Sequence, residues 1–162
     1  MLAILIFWGL TLFTLGACVF AFTMGGSAER YAAGVIILNM ALGYGVRATF
    51  PEAASSFKLV NDGLAASALL VLAVRYAAPW LGGAMLFYAA QFALHSYFLV
   101  LNLPASASRA HINNLNFAGI TCCLVAGTVV TWRRRARAGR ASAATAVALS
   151  PAPHPPGPAP AP

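Results

Sequence analysis

The chain has 162 residues, 60% hydrophobic and only 8% charged, with ten Lys and Arg against three Asp and Glu for a net charge of +7. Soluble domains carry about 25% charged residues, so this composition excludes a soluble enzyme, a disordered protein and a secreted disulfide scaffold. A basic balance elsewhere suggests nucleic acid, but joined to this hydrophobicity it predicts one small multi-pass membrane domain.

Charges divide the chain. Residues 1–28, 31–46, 76–108 and 110–132 are uncharged, while 63–74 is a shorter uncharged stretch. Crossing the hydrocarbon takes roughly 20 residues of helix, so the short stretch spans only if extended back through Asp62, Asn61 and Lys58. The expectation is an all-α membrane protein, a bundle of about five transmembrane helices over 2–24, 31–50, 58–76, 81–103 and 114–132, or four if the first is cleaved. Gly25-Gly26-Ser27, Pro51, Pro79 and Pro104 fall at the breaks, where helices stop or restart.

The first span has no Lys or Arg before its apolar run, unlike a signal peptide. Leu15-Gly16-Ala17-Cys18 has the form of a lipobox, but Val19-Phe20-Ala21-Phe22 continues the apolar run, so Cys18 reads as a buried thiol. Thr11, Thr14 and Cys18 form a mildly polar strip. In the second span Ser27 offers a cap ahead of Glu29-Arg30, Gly34, Gly43 and Gly45 thin the helix, and Asn39 shares a face with Arg47. In the third, Asp62 lies about one turn in, favoured by the helix dipole, with Asn61 and Lys58 beside it. Arg47 is at similar depth and is its expected partner.

Tyr88, Gln91, His95 and Asn102 in the fourth span are 3, 4 and 7 apart, which is one helical face. His95 lies roughly 12 Å from the end of that span. The fifth opens with His111-Ile112-Asn113-Asn114-Leu115-Asn116, whose asparagines are expected caps. Gly119, Cys123, Gly127 and Thr131 then recur every four residues, a small-xxx-small face that permits close helix approach. Internal packing is its expected use and a homo-oligomer the alternative. Cys122 and Cys123 are adjacent and no CxxC or Cys-His spacing occurs, so neither metal nor redox work is expected.

Arg133, Arg134, Arg135, Arg137 and Arg140 make a juxtamembrane run, 133–140, suited to lipid headgroups. Residues 141–162 hold seven of the ten prolines and eight alanines, which predicts a disordered tail. Placing the C-terminus in the cytoplasm and the N-terminus in the periplasm puts seven basic residues inside and three outside, as the positive-inside rule asks. Tyr31, Tyr76, Trp80 and Trp132 then share the inner interface.

Function can show only in the intramembrane polar residues: Asp62, His95, Gln91, Asn61, Arg47 and Asn39. No Ser-His-Asp grouping, metal cluster or phosphate loop is present in the sequence, so no enzyme and no cofactor is expected. The leading expectation is a non-enzymatic small subunit, scaffold or assembly partner, contacting membrane lipids, another membrane protein or itself, and no nucleic acid. The alternative is a proton- or cation-coupled transporter using Asp62 and His95. A b-type haem held by His95 and His111, or a holin-like pore, comes behind both.

The order Gly25-Gly26-x-x-Glu29-Arg30, an early Asp in the third span, Ala73-x-Arg75 with Pro79-Trp80, Gln91-x-x-x-His95 and Thr131-Trp132 followed by arginines resembles a group of small, uncharacterised integral membrane proteins of alphaproteobacteria. The resemblance covers roughly residues 20–135. That family's turn reads Trp-Pro where this chain has Pro79-Trp80. It implies a multi-pass protein of the bacterial inner membrane and no assigned activity.

Overall fold

The computed structural model describes residues 2–103 and 106–148. Among them are five helices and no strand: α1 (Leu2–Met24), α2 (Ser27–Thr49), α3 (Ala54–Tyr76), α4 (Pro79–Val100) and α5 (Ala107–Ala148). Each is long and apolar enough to cross a membrane, and the chain is an all-α, multi-pass bundle. The links at 25–26 and 77–78 share one end, here the Gly25 end, and those at 50–53 and 101–106 share the other, the Phe50 end. Links this short make successive helices antiparallel neighbours.

Local chemistry sets the boundaries. α2 begins earlier than the predicted residue 31 because the Glu29 carboxylate accepts the Gly26 N–H at 2.8 Å. Gly26 is the cap, not Ser27, and the acid sits where the helix dipole favours it. Gly25 is required by close approach: a Cβ there would collide with the Ala21 carbonyl oxygen and with Glu29 Cβ. α3 ends with Ala77 in the left-handed region, φ 48°, its N–H bonded to the Ala73 carbonyl at 2.9 Å. α4 starts on Pro79, which lacks only an N–H that the first turn leaves unused.

α5 departs most from expectation. Ser106 Oγ accepts the Arg109 N–H at 3.2 Å, so the helix starts at Ala107 and not at 114. Asn113, Asn114 and Asn116 are therefore interior residues and not caps. The helix continues through the arginine run to Ala148. The first eight residues of the expected disordered tail, 141–148, are thus helical, as alanines following a formed helix favour. Residues 149–162 and Pro104 lie outside the described residues.

The chain divides into two units, 1–132 and 133–162. In the second, the described side chains are exposed and Ser142 and Thr145 bond back to carbonyls one turn earlier. In the first, small residues fill the core: Ala17, Cys18 and Ala21 of α1, Ala32 and Ala33 of α2, Ala65 of α3 and Ala84 of α4, with Ile36, Leu69, Leu81, Tyr88, Ile120 and Leu124 between them. Large apolar side chains such as Leu12, Leu38, Leu64, Val71 and Leu86 point outward. Apolar outside and small or polar inside is the arrangement that lipid permits.

The small face of α5 is used within the chain. A Cβ on Gly119 would lie 2.5 Å from the Phe87 ring, and one on Gly127 would enter the Trp80 indole. Cys123 Sγ faces Gly83 in the same seam, 3.2 Å from where that glycine's Cβ would be. Two α4 aromatics thus occupy the space the glycines leave. By contrast, a Cβ on Gly34 or Gly45 would meet open space, so these do not serve close packing. The stacked rings of Tyr31 and Tyr76, centroids 6.3 Å apart, place those two tyrosines together at the Gly25 end.

Candidate functional site

Asp62, His95, Gln91, Asn61 and Asn39 are turned inward and meet. Asp62 is the centre, with its side chain and that of His95 each only 2% exposed. His95 Nδ1 lies 2.6 Å from Asp62 Oδ2. The other carboxylate oxygen accepts from Asn39 Nδ2 of α2 at 3.3 Å and from Gln91 Nε2 of α4 at 3.2 Å. Asn61 Nδ2 donates to the Asn39 carbonyl at 2.9 Å, tying α3 to α2 a second time. From α5, Asn113 Oδ1 lies 3.1 Å from His95 Nε2 and accepts from Lys58 Nζ at 3.1 Å. Side chains of α2 and α4 therefore meet one acid of α3, and α5 reaches it through His95, in the half of the bundle nearer the Phe50 end.

These contacts constrain where hydrogens sit. A lysine ammonium has donors only, so Asn113 must turn its oxygen toward Lys58. The same oxygen faces His95 Nε2, which must then carry hydrogen to bond it. The 2.6 Å contact on the other side of the ring needs a further proton, on Nδ1 or on Oδ2. The Asp62–His95 contact thus shares a proton between an imidazole nitrogen and a carboxylate oxygen. An ionised carboxylate alone would only accept.

Arg47, the partner expected for Asp62, is exposed in the last turn of α2. The sequence placed both groups at the same depth, but Asp62 turns toward α4 and meets His95. The face read from Tyr88, Gln91 and His95 is buried as a unit. Asn102 does not belong to it: it lies beyond α4, exposed, with φ 48°. His111 is exposed on α5, whereas both His95 nitrogens face other side chains.

Two buried polar atoms beside the pair, Tyr88 Oη and Gln91 Oε1, have no hydrogen-bond partner among the described residues. Further along the core, the strip on α1 proves to be its buried face. Thr14 and Thr121 hydroxyls meet at 2.9 Å, and the Cys18 thiol reaches the Ala33 carbonyl at 3.9 Å. At the Gly25 end, Glu29 is buried, and Thr131 donates its hydroxyl to Oε1 at 2.8 Å.

Sequence reasoning missed Asn113 and Glu29 as members of this interior, and with Asn113 the reach of Lys58 to α5. Asn113 read as a cap and Glu29 as a helix start. The spacing of Glu29 to Gly26, three residues, was the signal available for the capping contact, but not for its burial. No protein-family model, curated protein or solved structure matches this chain.

Proposed function

We propose that this chain is a small, non-enzymatic protein of the bacterial inner membrane that binds and passes protons through the Asp62–His95 pair. The carrying observation is the 2.6 Å contact between two titratable side chains sealed inside the bundle. Had Arg47 been the partner, the pair would be permanently charged and suited to holding helices together. A histidine partner makes the site one that can gain and lose a proton. Intramembrane ionisable residues mark proton relays and ion paths. The bacterial address follows the family resemblance, and arginine placement supports a periplasmic N-terminus and cytoplasmic C-terminus. In proteoliposomes bearing a pH gradient, Asp62→Asn is expected to abolish the protein-dependent flux. Unchanged flux in this variant would remove the reading.

A second reading is a small subunit, scaffold or assembly partner. It is favoured by the network in which α2 and α4 bond the α3 carboxylate and α5 bonds His95, an arrangement that fixes helix register and needs no transport. Crosslinking in native membranes tests it, since this role requires a stable partner or self-association and the proton role requires neither.

A further inference from the structure

The interior does not stop being polar at Asp62. Two of the three acids in the chain lie buried in the bundle, Asp62 toward the Phe50 end and Glu29 at the Gly25 end. At about 1.5 Å per residue measured from the Gly25 end of each helix, Glu29 lies at roughly 3 Å, Cys18 at 9 Å, Tyr88 at 13 Å, Thr14 at 15 Å, Gln91 at 18 Å and Asp62 at 21 Å. His95 and Asn113 continue the series beyond Asp62. All of these up to His95 are buried, and the fully buried hydroxyls of Thr121 and Thr128 lie on α5 along the same rise. Polar groups thus recur along the rise of the core from Glu29 to His95.

The orphaned atoms fall in the middle of this series. Tyr88 and Gln91 are one turn apart on α4, 0% and 3% exposed, and their oxygens lack protein partners among the described residues. A hydroxyl and an amide carbonyl left unpaired in a low-dielectric interior are costly, and buried water usually satisfies such groups. Water can donate to Gln91 Oε1 while accepting from Tyr88 Oη. Gln91 also donates to Asp62, so that water would sit next to the Asp62–His95 pair.

We propose that Asp62 and Glu29 are the two ends of one proton relay across the bundle, joined through water held by Gln91 and Tyr88 and through the buried hydroxyls of Thr14, Thr121 and Thr128. A proton leaves Asp62 for the bridging water as that water passes one of its own onward. Each hop forms one O–H bond and breaks another. The last proton reaches the Glu29 carboxylate, which releases it at the Gly25 end. His95 returns its Nδ1 proton to Asp62 and keeps its Nε2 hydrogen; the neutral ring then turns Nδ1 away from Asp62, takes up a proton there from the Phe50 end and turns back. No oxidant or reductant takes part. Glu29 faces the Gly26 N–H and the Thr131 hydroxyl, and Asp62 faces His95, Gln91 and Asn39, with Lys58 on its own helix bonded to Asn113.

This rests on the proposed role of Asp62, and the test separates the two. The full chain is reconstituted in vesicles with a trapped pH-sensitive dye, and a potassium potential with valinomycin drives proton movement. Wild type should carry protons well above the protein-free rate. Asp62→Asn and Glu29→Gln should each fall to that rate, and Tyr88→Phe most of the way. The Glu29→Gln change keeps the cap, because the amide oxygen still accepts the Gly26 N–H, and the Tyr88→Phe change keeps the packed ring. Loss in Asp62→Asn with wild-type flux in Glu29→Gln or Tyr88→Phe overturns the relay and leaves the Asp62 role standing. Wild-type flux in Asp62→Asn, or none in wild type, overturns both. Should Glu29→Gln fail to fold, Tyr88→Phe decides alone.

Discussion

The half of the bundle around Asp62 and the seam between α4 and α5 are held by opposite means. Around Asp62, long polar side chains reach across gaps and specify each other by donor and acceptor. In the seam, Gly119 and Gly127 remove side chains so that Phe87 and Trp80 can enter. The first is chemically particular and sterically tolerant, whereas the second is indifferent to chemistry and intolerant of a single added carbon. A membrane interior, which supplies no hydrophobic drive between helices, leaves these two means available.

The contrast can be broken at either side. The largest expected effect is Asp62→Ala, which strips one acceptor from Asn39, Gln91 and His95 at once and should destabilise by about 3 kcal/mol, read as the midpoint of denaturing-detergent titration. Asp62→Asn, which keeps an acceptor, should lose much less. If both cost the same, the half around Asp62 is held by packing after all. Next comes Gly127→Val, expected to cost about 1–3 kcal/mol through overpacking against Trp80. Trp80→Leu in the same chain should recover part of that loss, and a lack of recovery would show that the seam is not set by ring fit. The smallest effect is expected outside both regions. Ala77→Gly relieves a left-handed alanine and should stabilise by up to about 1 kcal/mol, seen in the same titration.

Span positions were legible because hydropathy and charge act locally: α1 and α3 end at Met24 and Tyr76, and both ends were read from composition. The start of α5 was not. Arg109 and His111 interrupt the apolar run, yet a serine cap begins a helix whatever the polarity of its first turns. The face bearing Tyr88, Gln91 and His95 was legible for the same local reason, since spacing fixes direction on one helix. Its partner was not, because spacing says nothing of how two helices are rotated about their axes. That rotation gives Asp62 to His95 in place of Arg47. The glycine face of α5 was legible as a close-packing surface, but the rings that fill it come from another helix.

The bonds tying α5 to the first two helices join residues far apart in sequence: Thr14 with Thr121, 107 positions on, and Glu29 with Thr131, 102 positions on. A chain synthesised from its N-terminus therefore inserts α1 and α2 long before their polar groups can be satisfied. Until α5 arrives, the Glu29 carboxylate has only its own cap and the Thr14 hydroxyl lacks its partner on α5. The polar contacts of α1 and α2 are thus completed only when α5 is in place.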